Sequence, residues 1–394
     1  MDTKAYIEKM QSIQETFLEF IDSNKDLQDD SLIKDFNSFN YLKISFENIS
    51  YHEKKSVFKE ILLLISSICA NHQRTATLNK KIETILCIFL EEMKKTLSNH
   101  EIFHIFRCNP NILLFLFKEQ IIQIDEYISK RLQPFESYFS PEIISFYNGS
   151  QAKISQDIEE KRKKGNNDNY ICNLIQNDLV EEFITYVTKT NFPLSGKIPQ
   201  SKFETNLLLI EKNPSLIEYA AFCGAIQIFQ YLRINGVILT GSLWIYAIHS
   251  RNPDLIHLLE EIHVEPNDAT FSECLIESIK CYHNEIADYI KDNHLARNID
   301  IFPNIIKYHN YSFFNENVKG HEYQLIQYGY SSIVKNLLND FKDINAKVIF
   351  IITFIKFNNL VLLMEFFILK FLNQVSIYLI YVICDRYEIS IIFY

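Results

Sequence analysis

Apolar residues near the start of the chain recur every three or four positions, as they do along one face of an α-helix. The stripe between residues 2 and 23 consists of Ile7, Met10, Ile13, Phe17, Phe20 and Ile21. Similar stripes predict a second helix that begins near Ser50, a third that follows Thr77, and shorter helices between residues 98 and 133. The pattern therefore predicts a helical N-terminal domain over residues 1–148.

A polar segment over residues 149–169 separates this domain from the second half of the chain. The run SQDIEEKRKKGNND, which starts at Ser155, places acidic residues first, basic residues next and Gly165 after them. This order complements the dipole of a short helix, and glycine is the residue that most often ends a helix. We expect a short helix and a domain boundary here.

Residues 170–347 contain a weak internal repeat. The unit that begins at Ser215 predicts two short helices joined by a tight turn at Gly224. When this unit is shifted by 27 residues along the sequence, it aligns with a second unit that begins at Ser242. A further shift of 31 residues aligns that unit with a third one near residue 273. Small residues recur where one first helix must approach the next. Because each helix pair is too small to bury its own apolar face, this pattern indicates pairs that stack side by side.

The unit at Ser215 reads SLIEYAAFCG and continues with Ile228 and Leu232, which resembles the ankyrin-repeat pattern T-P-L-H-x-A-A-x-x-G followed by I-V-x-x-L-L. From Ile171 to Ala247 the chain also resembles a family of protist proteins in which a helical leader and a helix-pair domain of unknown function precede ankyrin repeats. The resemblance implies an all-α fold, with a helical array followed by an ankyrin-like α-solenoid. It also implies non-catalytic binding of a protein partner.

The tail, residues 348–394, breaks the repeat pattern. It contains no Gly, Pro, Ala or His, and its longest run without a charge, Phe371–Cys384, is 14 residues. A membrane-spanning helix needs about 20 apolar residues. We therefore favour a degenerate or truncated repeat region, which a frameshift would also produce. Two alternatives stay open, a membrane-tethered ankyrin protein and a non-functional remnant of a large gene family.

Composition narrows the kind of partner and the compartment. The net charge is −10 and the pI about 5.6, so the field of the whole protein repels the phosphates of nucleic acids. Eight scattered cysteines and a polar N-terminus without a signal-peptide stretch predict reduced thiols in a cytoplasmic protein. Signatures of nucleotide-binding loops and of hydrolases are absent, so we expect no enzyme, no cofactor and no small-molecule substrate.

One motif gives a rival hypothesis. His100-Glu101-Ile-Phe-His104 matches the H-E-x-x-H pattern of zinc metallopeptidases, in which two histidines one helical turn apart bind zinc and the glutamate activates water. Arg107 and Pro110 stand where the longer metzincin pattern requires Gly and His. Ser98-x-x-Glu101 also fits a capping box, which would give Glu101 an ordinary structural role.

Two further groups have both a functional and a structural interpretation. Cys274, Cys281 and His283 lie close together in sequence, as metal ligands do, but Cys274 aligns with Leu243 of the preceding repeat and is expected in the core. The basic run Lys161–Lys164 fits a nuclear-import or phosphate-binding patch, or a solvated helix end, and we favour the helix end.

A protein partner would be bound by the first helices and turns of the repeats. The residues that these elements would present are Tyr219, Trp244, Tyr246 and His249. The alternative is that these four side chains belong to the core. The sequence does not choose between the two, and it assigns no catalytic, cofactor-binding or metal-binding residue.

Overall fold

The computed structural model describes residues 2–23, 51–149, 154–295, 299–315 and 318–340. Within these ranges every regular element is a helix, which confirms the predicted all-α class. None of the helices in the described ranges is both long enough and apolar enough to cross a membrane. The tail at 348–394, and every hypothesis about it, lies outside the described residues.

The described residues before 165 form eight helices. They are α1 (Thr3–Asp22), α2 (Tyr51–Asn71), α3 (Leu78–Thr96), α4 (Asn99–Phe106), α5 (Pro110–Lys118), α6 (Glu126–Arg131), α7 (Glu136–Asn148) and α8 (Gln156–Lys164), with a short 3-10 turn at Gln133–Phe135. Helix α8 is the short helix expected in the polar segment. The side chain of Ser155 caps its first turn, and Gly165 follows its last turn with a φ of 65°.

Twelve helices follow in the described part of the chain. They are α9 (Tyr170–Gln176), α10 (Val180–Thr190), α11 (Leu207–Lys212), α12 (Leu216–Cys223), α13 (Ile226–Ile234), α14 (Leu243–Ser250), α15 (Pro253–Glu261), α16 (Ser272–Lys280), α17 (Asn284–Asn293), α18 (Phe302–Tyr308), α19 (Glu322–Gln327) and α20 (Ser331–Asp340), with a 3-10 turn at Tyr311–Phe313. Most of them are shorter than three turns, as expected for helix pairs in a repeat array.

The chain divides into two compact units. The larger is Met10–Phe314, and the smaller combines Met1–Lys9 with Asn315–Tyr394. In the described part of the smaller unit, α19 packs against α20. In the larger unit, α8 packs against α5. The predicted boundaries at residues 148, 169 and 347 stay predictions.

The helices after residue 170 pack as pairs. Helix α9 contacts α10, α12 contacts α13, α14 contacts α15, and α16 contacts α17. The first helices of these pairs also contact one another in chain order, from α9 through α12, α14 and α16 to α18. The segments that begin at residues 215, 242 and 273 therefore lie side by side, as the repeat pattern predicts.

Small side chains lie where the first helices meet. Ala220, Ala247 and Ser278, which align in the three repeat units, are all fully buried. Gly224 ends α12 with a φ of 71°, a conformation that favours glycine. A Cβ at this glycine would lie 3.4 Å from the Cβ of Ser250 in the next pair. Close approach of successive pairs therefore depends on small residues at these positions.

One hydrogen bond recurs at three successive junctions between pairs. A side chain that follows the first helix of one pair donates to a carbonyl near the end of the first helix of the preceding pair. The three bonds are Asn252 Nδ2 to Gly224 O (3.2 Å), His283 Nδ1 to Ile248 O (2.8 Å) and Asn310 Nδ2 to Ile279 O (2.8 Å). Asparagine and histidine thus make the same kind of hydrogen bond, so the bonding between helix pairs is more regular than the sequence.

The end of α2 and the residues after it cross the carboxyl ends of four helices. We call residues 67–74 the crossing segment. Four of its side chains donate to carbonyls at the ends of these helices. The bonds are Ser67 Oγ to Tyr308 O of α18 (2.8 Å), His72 Nδ1 to Cys281 O after α16 (2.9 Å), Gln73 Nε2 to Ser250 O of α14 (2.6 Å) and Arg74 to Gly165 O after α8 (3.0 Å). Carbonyls at a helix C-terminus lack partners within the helix and have partial negative charge, so these donors stabilise all four ends.

Candidate functional site

The glutamate of the H-E-x-x-H motif caps a helix. Ser98 Oγ accepts a hydrogen bond from Glu101 N (3.3 Å), and the Glu101 carboxylate accepts one from Ser98 N (2.9 Å), which completes the expected capping box. The same carboxylate lies 3.1 Å from Lys55 Nζ. Burial alone would raise the pKa of Glu101, but the bonds from Ser98 and Lys55 outweigh it and lower the pKa. The side chain thus has the structural role that the capping pattern indicates.

The two histidines of the motif connect α4 to the start of α6. His100 Nε2 lies 2.6 Å from Asp125 Oδ2, and His104 Nε2 lies 2.6 Å from Tyr127 Oη. The Tyr127 ring stacks on the His100 ring, with centroids 4.5 Å apart. In the described residues these histidines belong to no group of three potential metal ligands. The zinc-peptidase hypothesis therefore gains no third ligand from the structure.

The basic run in α8 is paired with carboxylates. Lys161 Nζ lies 3.1 Å from Asp157 and 3.4 Å from Asp168, and the buried Arg162 lies 2.5 Å from Glu142. These pairs offset the charges of Lys161 and Arg162 and so weaken the attraction of this helix end for a phosphate or an import receptor. The arrangement favours the helix-end interpretation over the binding patch.

The four side chains considered for a partner-binding face are buried. Tyr219, Trp244, Tyr246 and His249 have exposed fractions of 2%, 1%, 4% and 4%. Tyr219 Oη accepts a bond from Gln176 Nε2 (2.8 Å), so even its polar atom has an internal partner. The core alternative is therefore correct, and an incoming protein cannot reach these residues in this state.

Exposed apolar side chains lie instead beside the loop that joins α13 to α14. We call residues 235–242 the finger loop. Ile234, just before it, is 76% exposed, and Ile238 within it is 80% exposed. The base of the loop packs tightly on the next loop, because a Cβ at Gly241 would lie 2.6 Å from Asn267 N. The finger loop thus holds large apolar side chains in solvent on a closely packed base.

A second group of chemically active side chains lies buried between α14 and α16. His249 Nε2 is 2.5 Å from Glu277 Oε1, and Cys281 Sγ is 3.5 Å from His249 Nδ1 and 3.9 Å from Glu277 Oε1. In the described residues these three form the one group of His, Cys, Asp and Glu side chains that could hold a metal ion together. We call them the buried cluster.

The electrostatics of the buried cluster favour an ionised carboxylate and a neutral thiol. Burial alone would raise the pKa of Glu277, but His249 and Lys280, whose Nζ lies 2.9 Å from Glu277 Oε1, lower it to about 2. Burial raises the pKa of Cys281 well above its usual range, and the charge of Glu277 adds to the effect. The thiol is therefore a poor nucleophile in this state, since the thiolate is the reactive form.

A neighbouring network joins the buried cluster to the N-terminal helices. His72 Nδ1 lies 2.9 Å from the carbonyl of Cys281, and His72 Nε2 lies 2.8 Å from Asp22 Oδ1. Arg251 binds the other oxygen of Asp22 at 2.5 Å. The two ring nitrogens of His72 thus face the carbonyl of Cys281 and the carboxylate of Asp22. The ring links the end of α16 to the end of α1.

Sequence reasoning found only part of this group. Of Cys274, Cys281 and His283, only Cys281 joins the buried cluster. Cys274 is buried in the core but lies outside this group, and His283 donates to Ile248 O. The other two members, His249 and Glu277, are 28 residues apart, close to one repeat length. A search for ligands one repeat apart on neighbouring first helices would have paired them.

No protein-family model, no curated protein and no solved structure matches this chain with significant similarity.

Proposed function

We propose that the chain is a non-catalytic, protein-binding scaffold whose helix pairs form an ankyrin-like α-solenoid. The observation that supports this most is the hydrogen bond from one pair to the preceding pair, which recurs through Asn252, His283 and Asn310. Contact between successive first helices supports it further. Solenoids of this kind offer extended surfaces and no enclosed reaction chamber, which suits binding better than catalysis.

The finger loop is the surface that we assign to the partner. The first helices are buried over most of their length, so their side chains are occupied within the protein. Ile234 and Ile238, by contrast, place two large apolar side chains in water, where they contribute nothing to the core. Burying one such side chain stabilises a complex by about 2 kcal/mol, equivalent to a roughly 30-fold change in affinity.

The experiment combines capture with a matched pair of variants. A photo-crosslinking amino acid at position 238 of the full chain, expressed in the cells that make it, identifies the partner, and the affinity of that partner is then measured directly. We expect Ile238→Asp to weaken binding at least tenfold. Ile144→Asp is the control, because Ile144 is also exposed, at 48%, but lies on α7. Equal affinities for wild type and both variants would contradict the assignment of the loop, and no crosslinked protein would contradict the proposed function.

A further inference from the structure

We propose that His249, Glu277 and Cys281 form a binding site for one thiophilic divalent cation, for which zinc is the best match. The three side chains supply an imidazole, a carboxylate and a thiol, which are the three ligand types that zinc takes in proteins. They come from two neighbouring helix pairs, so a bound ion would link α14 to α16. This inference does not depend on the proposed function.

Two of the three distances between the ligand atoms are close to those of a tetrahedral site. Zinc–sulfur and zinc–nitrogen bonds of about 2.3 and 2.0 Å at a tetrahedral angle separate the sulfur from the nitrogen by about 3.5 Å. Cys281 Sγ lies 3.5 Å from His249 Nδ1, 3.6 Å from His249 Nε2 and 3.9 Å from Glu277 Oε1. The ring binds an ion through one nitrogen only, so these distances describe two ligand pairs, sulfur with nitrogen and sulfur with oxygen, and both lie near the required separation.

The remaining pair is closer than a metal site requires. His249 Nε2 and Glu277 Oε1 are 2.5 Å apart because they share a hydrogen bond, whereas two ligands of one zinc ion are separated by about 3.4 Å. The cation would therefore replace the proton on Nε2, the neutral ring would hold its one proton on Nδ1, and the two groups would separate by about 1 Å. Lys280 Nζ, 2.9 Å from the same oxygen, would turn away, which its partly exposed side chain allows.

The charges balance once the ion is bound. A thiolate and a carboxylate together neutralise a divalent cation. Zinc binds cysteine as the thiolate, so binding must release the proton of the Cys281 thiol. His72, which donates to the carbonyl of Cys281, would orient the ligand from outside the site. In the described residues no fourth side chain of these types joins the group, so a water molecule would complete the coordination.

The test uses the full chain after treatment with a chelator. Titration with zinc, followed by dialysis and elemental analysis, should give about one ion per chain. Titration with cobalt should give the charge-transfer absorption that a thiolate ligand produces, and zinc should abolish it. This spectrum needs no variant, so it remains informative even if a variant does not fold. Failure to retain any metal, or a cobalt spectrum without a thiolate band, overturns the proposal.

Matched variants locate the ion. His249→Asn and Cys281→Ser should each lower zinc affinity at least tenfold. The controls are Cys274→Ser, which changes a buried cysteine of the same helix outside the group, and His104→Asn, which changes the H-E-x-x-H motif. Both controls should retain zinc. Loss of zinc in His104→Asn, with retention in His249→Asn and Cys281→Ser, would place the ion at the motif and overturn the inference.

Discussion

Two groups of side chains of the types that can bind metals differ in how they arise in this chain. His100, Glu101 and His104 form a recognisable sequence motif, yet each side chain is bonded to a structural partner, and the histidines lie on a partly exposed surface. His249, Glu277 and Cys281 form no sequence motif, yet their ligand atoms converge in the core. A spacing of four residues places two side chains on one face of a helix, but only the packing of separate helices brings a third ligand to them. The contrast shows that, in this fold, such a group is best sought between neighbouring helix pairs.

Replacement of the two glutamates should give the largest difference between these groups. Glu277→Gln removes the charge of a buried carboxylate that bonds to both His249 and Lys280, and we expect it to lower the free energy of unfolding by about 3 kcal/mol. Glu101→Gln retains a side chain that completes the capping box, so we expect a loss below about 1 kcal/mol. Urea denaturation of both variants measures the two values. Similar losses would show that burial does not distinguish the groups.

The crossing segment provides the next comparison. Arg74 donates to Gly165 O, Glu204 and Thr205, and Glu204 is only 6% exposed. Arg74→Met should therefore lower the free energy of unfolding by about 2.5 kcal/mol, because a buried carboxylate loses its cation. Lys118→Met, which breaks a well exposed pair with Glu159, should cost far less. Denaturation midpoints at constant ionic strength test this, and equal midpoints would contradict the role assigned to the segment.

Lowering the pH should destabilise the fold through a buried histidine. Burial lowers the pKa of His309 to about 3, whereas an unfolded histidine titrates near 6.5. The unfolded state therefore takes up the proton first as pH falls, and between pH 7 and 5 this site should cost about 2 kcal/mol. His309→Asn suits the left-handed conformation there (φ 54°) and should remove that share of the pH dependence. His104→Asn, at a less buried site, should change it much less. An unchanged slope in His309→Asn would contradict the assignment.

The smallest effect should come from the partner of His104. Tyr127→Phe removes the hydroxyl that lies 2.6 Å from His104 Nε2 and keeps the stacked ring. Because water can replace this bond at a partly exposed site, we expect a loss of about 0.5 kcal/mol. Thermal unfolding of this variant beside wild type gives the value. A loss above about 2 kcal/mol would mean that the motif surface is as tightly coupled as the core.

Much of the fold could be predicted from local pattern. The periodic stripe at Ile7–Ile21, the capping box at Ser98 and the glycine stops at Gly165 and Gly224 are all present where the sequence indicates them. These features depend on residues within a few positions of one another. The order of contact between first helices followed from small residues at equivalent positions, such as Ala220 and Ala247.

The crossing segment and the buried cluster were not predicted, for a shared physical reason. An apolar stripe shows that a helix face is covered, but it does not identify what covers it. Hydrogen bonds such as those from His72 to Cys281 and from Gln73 to Ser250 join residues about 200 positions apart, and no local pattern records them. Trp244 and His249 are buried because other segments of the chain cover the helix that bears them. Their assignment to the core or to the surface therefore stayed open until the packing was known.

A double-mutant cycle on metal-free protein tests the central claim most directly, namely that side chains from neighbouring helix pairs act as one buried group. The variants are His249→Ala, Glu277→Ala and the double variant, with His100→Ala and Glu101→Ala as the matched cycle in the sequence motif. The hydrogen bond between His249 and Glu277 should give a coupling free energy of about 2 kcal/mol, and the motif pair a value near zero. A coupling near zero for His249 and Glu277, or an equal coupling in both cycles, would contradict the claim.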